Sequence, residues 1–150
     1  MPLNLFVAEF IGAPKMNTFK TNLVCEGGKY YVTPYGSKIE VTGKKAEMLK
    51  SKGITSGEII LGVRPEHFVL SNASNPGAIP CKIVVNEMMG SELHLHVLEE
   101  NGDRLIVRIP TVSLDDDQRN MLTYGHTIYV TFEGKVMHFF DKDTEQNLLI

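Results

Sequence analysis

The chain is organised around the stretch Leu61-Gly62-Val63-Arg64-Pro65-Glu66-His67, which lies near the middle of its 150 residues. The apolar residues 59–63 predict a buried strand. Proline restricts its own φ and favours an extended conformation in the residue before it, so we expect the strand to end and the chain to turn here. Such a corner could belong to a catalytic cluster, a binding surface or a polar turn. Its polar members are Arg64, Glu66 and His67.

The composition is that of a folded globular protein without a basic surface. Hydrophobic residues make up 43% of the chain and charged residues 22%, and the net charge is −3. Nucleic-acid binding needs a basic face, so the interspersed charges argue against it. No apolar run approaches the ~20 residues of a membrane helix, and the first residues lack a signal-peptide pattern. We therefore expect no direct membrane insertion.

Short strands with tight turns are predicted before the corner. From Asn17 the apolar period is two, and turn residues at 26–29 and 34–36 indicate a three-stranded meander. Residues 44–52 have the pattern of one short helix with a weak apolar face. This half of the chain therefore predicts β-structure with a single helical connection.

The half after the corner predicts longer strands. Residues 79–88 read as one strand, and the Asn-Gly pair at 101–102 marks a hairpin. Residues 127–132 and 135–140 predict two more strands, joined as a hairpin around Glu133-Gly134. The side chains expected on one face of the 79–88 strand are Cys81, Ile83 and Val85.

Three segments are predicted along the chain. Residues 1–16 have a helical apolar period, and this short helix needs a docking partner, in this chain or in a missing neighbour. Residues 17–150 form the remaining domain, divided into two β halves near the polar stretch 71–77. About ten short strands with little helix indicate an all-β fold with short helices, and the short connections favour small Greek-key barrels.

No catalytic, cofactor or metal site is predicted from the residues. Gly43-Lys44-Lys45 lacks both the earlier glycine and the Ser/Thr of a phosphate-binding loop. His94 and His96 would form a zinc or copper site only if further ligands converged on them. Strand alternation explains their spacing without a metal, as the polar face of a hairpin.

The two cysteines, Cys25 and Cys81, are far apart and outside any CxxC motif. Both lie in apolar strand-like runs, so we expect two buried free thiols rather than a disulfide. This pattern is typical of a reducing, cytoplasmic setting.

Several segments in order resemble one family. The segment 4–17 and the corner stretch 61–67 are similar to the region after the nucleotide-binding domain in ATPase subunits of maltose-type and multiple-sugar ABC importers. Later similarities are at residues 87–92, 107–110 and 138–141. Departures are the Phe139-Phe140 pair, where Leu-Phe is more usual, and the long connection 111–124.

The resemblance implies a regulatory domain of paired OB-like small Greek-key barrels, known as the TOBE region. It implies a homodimer, with a preceding ATPase domain, importer permease subunits and a regulatory protein as further partners. In the parent, ATP and Mg would bind the missing domain, on the cytoplasmic face of the membrane, and this chain would hold no cofactor. The candidate interface or regulatory residues are Arg64, Glu66, His67, Glu87, Gly90 and Glu92.

Two other functions remain open from the sequence. One is a small-ligand or oxyanion-binding OB-like barrel, and the other is a metal-dependent enzyme built on His94 and His96. At the corner itself we expect Arg64 and Glu66 to form an ion pair, either locally or across an interface.

Overall fold

The computed structural model describes residues 16–149, which form two five-stranded antiparallel sheets and two short α-helices. The all-β class predicted from the sequence is confirmed. The elements are β1 Asn17–Glu26, β2 Lys29–Val32, β3 Ile39–Glu40, α1 Lys44–Ser51, β4 Gly57–Val63, β5 Phe68–Ser71, β6 Ile79–Met89, β7 Glu92–Glu99, β8 Arg104–Pro110, α2 Asp116–Met121, β9 Thr127–Phe132 and β10 His138–Asp141.

The chain forms two compact units. Within the described residues, unit 1 comprises 16–64 and 133–149, and unit 2 comprises 65–132. Unit 1 holds the sheet β10-β4-β1-β2-β3, and unit 2 holds the sheet β5-β9-β6-β7-β8. The chain thus passes from one unit to the other inside the Arg-Pro corner, whereas the sequence placed the division near 71–77. That polar stretch instead connects β5 to β6 within unit 2, because β5 pairs with β9.

Strand β4 lies between β10 and β1 in unit 1, and both of its faces are buried. Leu61 and Val63 on one face are fully buried, and Ile60 on the other is 8% exposed. Gly62 shares that second face: a Cβ there would lie 2.5 Å from the Met16 sulfur and 3.1 Å from the Phe140 ring. The glycine in the corner stretch therefore permits close packing of two large side chains on the strand.

Helix α1 covers part of unit 1, as the residue pattern predicted. Leu49 is its buried anchor. Lys45 donates from Nζ to the carbonyl oxygen of Met137, just before β10. Burial lowers the pKa of Lys45 to about 8, since a low-dielectric environment disfavours the charged amine.

The core of unit 2 follows strict alternation along β7. Leu93, Leu95 and Val97 are buried, while His94 and His96 lie on the opposite face. The adjacent strand β6 departs from the sequence expectation, because its register with β7 shifts between Ile83 and Val85. This irregularity moves Val85 off the core face and leaves it 40% exposed, so it does not share the face of Cys81 and Ile83.

The predicted hairpin around Glu133-Gly134 is wrong, although both strands exist. Strand β9 pairs with β5 and β6 in unit 2, whereas β10 pairs with β4 in unit 1. The connecting residues run against unit 1: Thr42 N donates to Gly134 O at 3.0 Å. A Cβ at Gly134 would overlap the Glu40 carbonyl, so close backbone approach explains this glycine better than a tight turn does.

Two further expectations from the sequence concern the helix at residues 1–16 and membrane-spanning helices. The predicted helix of residues 1–16 lies outside the described residues, except for Met16, which is buried. Over residues 16–149, no helix is both long enough and apolar enough to cross a membrane.

Candidate functional site

The corner begins the candidate site. Strand β4 ends at Val63, and Pro65–His67 form one 3-10 turn, as Pro65 predicted. The Glu66 carboxylate lies 4.0 Å from the Nη1 atom of Arg108 on β8. Among residues 16–149, Arg64 and Glu66 do not form an ion pair with each other, so the predicted local pair is not observed. The buried Nδ1 atom of His67 makes no hydrogen bond with the described residues.

Arg108 links the corner to Glu92, a second candidate residue. Its Nε and Nη2 atoms lie 2.8 and 2.6 Å from Oε2 of Glu92, and His94 Nε2 lies 3.4 Å from the same oxygen. The hydrogen bonds from Arg108 lower the pKa of Glu92 below its usual value, and His94 adds to this effect. Glu92 therefore remains ionised in a partly covered position.

The other two candidates, Glu87 and Gly90, lie at the turn end of the β6–β7 hairpin, close to Glu92. Glu87 Oε1 is 2.8 Å from His96 Nε2, across the β6–β7 pair. Gly90 occupies the two-residue turn between these strands with φ +66, a conformation that suits glycine and sets the register of the hairpin. Met89, next to this turn, is 53% exposed.

The structure thus joins three of the six candidates through partners on neighbouring strands. Glu66 and Glu92 meet at Arg108, and Glu87 meets His96 on the same face of the sheet. We call this set of side chains the polar ladder: Glu66, Glu87, Glu92, His94, His96 and Arg108. It contains no nucleophile with an adjacent base, and its partly exposed ion pairs link side chains of neighbouring strands and of the corner turn.

The described residues contain no group of three or more His, Cys, Asp or Glu side chains that could hold a metal ion. His94 and His96 each have a carboxylate partner instead of a shared third ligand. The two histidines of the HxH pattern therefore pair with Glu92 and Glu87 in the polar ladder.

Sequence reasoning missed Arg108 and Glu99. A signal for Arg108 was present, because the predicted hairpin and strand alternation place it opposite His94 on the polar face. Strand alternation also gave a signal for Glu99, which shares the core-facing parity of Leu93, Leu95 and Val97. It is 3% exposed at the end of β7, where its Oε1 accepts from the Asp103 backbone N–H at 2.8 Å. Its other oxygen is buried without a hydrogen bond from the described residues.

The two cysteines are free, but only one is buried. Cys81 is 2% exposed, whereas Cys25 is exposed, so the prediction of a buried Cys25 is wrong. Cys25 lies at the end of β1, next to the turn, where alternation no longer implies cover. Burial raises the pKa of Cys81 to about 12, and Glu99 beside it adds to the rise. The Cys81 thiol is therefore protonated and unreactive at neutral pH.

Two OB-like β units, with the corner stretch divided between them along the chain, define the class of protein. The model of the TOBE domain family matches residues 61–140, and the model described as the MalK OB fold domain matches residues 12–68. The chain belongs to the TOBE domain family.

Curated relatives extend the similarity over nearly the whole chain. An uncharacterised ABC transporter ATP-binding protein of Bacillus subtilis is 33% identical over 97% of this chain and 38% of its own length. A multiple sugar-binding transport ATP-binding protein of Streptococcus mutans is 34% identical over 96% of this chain and 36% of its own length. An oligosaccharides import ATP-binding protein of B. subtilis is 33% identical, with 96% and 37% covered. The chain thus spans little more than a third of these relatives.

A solved structure supports the fold. The cytoplasmic molybdate-binding protein ModG, crystallised with molybdate bound, superimposes with a TM-score of 0.64 over 82% of this chain and 94% of its own. The two sequences are 13% identical, so this likeness concerns the fold alone.

Proposed function

We propose that this chain is the non-catalytic regulatory and dimerisation region of an ATP-binding subunit of a sugar ABC importer. The observation that carries the proposal is the similarity to sugar-transport ATP-binding proteins over 96% of the chain. The incomplete phosphate-loop pattern at Gly43-Lys44-Lys45 supports a division of labour, in which another domain of the parent binds ATP and Mg.

The polar ladder is the surface we assign to this role. Its carboxylates, imidazoles and guanidinium lie on one sheet face, with exposed Val85 and Met89 beside them. Mixed charges around apolar side chains are the usual composition of a protein interface. The partners would be a second copy of the chain, the permease subunits in the parent, and a regulatory protein. The parent would lie in the cytoplasm, peripheral to the inner face of the membrane.

A domain exchange tests the transport part of this proposal. The segment of the B. subtilis oligosaccharides import ATP-binding protein that matches this chain would be replaced by residues 1–150, and oligosaccharide uptake measured in cells lacking the native protein. We expect uptake to be restored. A chimera that folds and hydrolyses ATP but supports no uptake would contradict the proposal.

The isolated chain tests dimerisation and the absence of catalysis separately. We expect sedimentation equilibrium to detect a dimer, and calorimetry to detect no ATP binding. A strict monomer at high protein concentration removes the dimerisation role, whereas saturable ATP binding removes the division of labour.

An oxyanion-binding barrel is the competing function, since the structural neighbour ModG binds molybdate. The charge distribution in unit 2 opposes it. Carboxylates outnumber the one arginine at the ladder, and an anion entering there would be repelled by them.

A further inference from the structure

A cavity of about 460 Å³ lies within unit 2, beside the corner turn. This volume falls in the range of about 300–1,000 Å³ that is typical of small-molecule sites. Its walls come from the corner turn, β5, β8, the turn after β8 and helix α2. The lining residues relevant here are Glu66, Leu70, Arg108, Ile109, Leu114 and Gln118.

The cavity lies where the two end strands of the sheet contribute to one wall. Strands β5 and β8 are the first and last strands of the order β5-β9-β6-β7-β8. On its outer side, an end strand has backbone N–H and C=O groups that form no hydrogen bonds with another strand of the sheet. A ligand that both donates and accepts hydrogen bonds suits such a wall.

The charged side chains at the cavity select against anions. Arg108 directs Nε and Nη2 to Glu92, and its Nη1 remains 4.0 Å from Glu66, beyond hydrogen-bond distance. The Arg108 charge is thus already paired with Glu92, which lies outside the cavity lining, and a phosphate or oxyanion would meet the Glu66 carboxylate without a free cation to offset it. A hydroxyl group could instead donate to Glu66 and accept from Arg108.

The remaining walls are apolar or neutral. Leu70, Ile109 and Leu114 provide aliphatic surface for C–H groups. Gln118 uses its Oε1 atom to accept from the Asp115 backbone N–H in a capping box, which leaves its NH₂ group as a donor. Aliphatic surface together with donors and one carboxylate matches a ring with both C–H faces and hydroxyl groups.

We propose that this cavity binds a neutral polyhydroxylated ligand, namely a mono- or oligosaccharide. Glu66 accepts from a hydroxyl group, Arg108 donates to one, and the aliphatic wall contacts the ring. The inference rests on the proposed function for the source of the sugar, and it deepens that function by placing a sugar-sensing site at the corner turn.

Chemical-shift titration of the full chain tests the site. The ¹⁵N-labelled protein would be titrated with glucose, maltose and raffinose, and with glucose 6-phosphate and molybdate as anionic comparators. We expect saturable shifts at the backbone amides of β5, β8 and α2 with at least one neutral sugar. Glu66→Gln should weaken that binding about tenfold, because a neutral amide is a poorer acceptor than a carboxylate.

Glu100→Gln is the matched control, since it removes the same charge from an exposed position of unit 2 outside both the polar ladder and the cavity lining. It should leave sugar binding unchanged, and both variants should melt within the error of the parent. The inference is overturned if no neutral sugar shifts these amides, if both variants bind alike, or if an anion binds more tightly than every sugar. Any of these results can occur while the domain exchange still restores uptake, so the two proposals fail separately.

Discussion

The two units contain sheets of equal strand number but assemble them from the chain in different ways. Unit 2 draws all five strands from the continuous run 65–132, whereas unit 1 needs β10 from beyond that run to pair with β4. Closing unit 1 therefore requires a contact between strands some 75 residues apart in sequence. Unit 1 is therefore incomplete without β10, and we expect it to be the more sensitive of the two units to changes in that strand.

The largest effect is expected from Phe139→Ala. Phe139 is fully buried and pairs with Leu61 across the β10–β4 ladder. Removing a large buried side chain leaves a cavity and costs about 3–5 kcal/mol. Urea unfolding gives the loss of free energy, and native-state hydrogen exchange should place it in unit 1 first.

A matched Phe68→Ala variant removes a buried phenylalanine from unit 2, where it packs against Phe132 at 5.6 Å between ring centroids. If exchange accelerates equally in both units for both variants, the two units unfold as one and the comparison fails.

Gly134→Ala should have the next largest effect. The new Cβ would overlap the Glu40 carbonyl, so the backbone must shift and weaken the bond from Thr42 N to Gly134 O. We expect a loss of about 1–3 kcal/mol by urea unfolding. Gly57→Ala is the control, because nothing lies within 4 Å of its added Cβ; equal losses for the two variants would contradict the close-approach explanation.

A smaller, pH-dependent effect is expected from Glu92→Gln in unit 2. The folded pKa of Glu92 is lowered, mainly by hydrogen bonds from Arg108. Its contribution to stability is therefore present above the unfolded pKa of about 4.3 and is lost as the pH falls through the folded pKa.

As the pH falls from the unfolded pKa through the folded pKa of Glu92, the Tm of Glu92→Gln should consequently decrease less than the Tm of the parent. Glu133→Gln in unit 1 is the control, since its pair with Lys135 is exposed. Parallel Tm curves for parent and Glu92→Gln would show that the ladder contributes no pH dependence.

The smallest effect on the fold is expected from thiol labelling. Cys25 of unit 1 is exposed, whereas Cys81 of unit 2 is buried with a pKa raised to about 12. Ellman's reagent at neutral pH should modify one thiol per native chain and two after unfolding. Cys25→Ser should abolish the native reaction and Cys81→Ser should preserve it; the reverse pattern would contradict the burial of Cys81.

Local elements could be predicted well because each depends on neighbouring residues. The stop at Pro65, the hairpin at Asn101-Gly102 and the helix near Lys44 follow from backbone restriction and short-range period. Asp115 also begins α2 with a complete capping box, a pattern within four residues.

Predictions failed where the outcome depended on distant segments. Residues 127–140 have the pattern of a hairpin, but β9 and β10 belong to different sheets. Strand β9 pairs with β5 in unit 2, and β10 pairs with β4 in unit 1. The face of Val85 depended on a register shift against β7, which strand alternation alone does not reveal. Cys25 lies in an apolar run but beyond the part of β1 that the core covers.

The β class, the turns, the corner and the family resemblance can be read from the amino-acid sequence, because they depend on residue type and spacing along the chain. The division of the chain at the corner, and the meeting of Glu66 and Glu92 at Arg108, become visible only in the folded chain. The physical reason is that side chains on different strands approach each other only after the register is set. The buried side chains of both sheets set that register together.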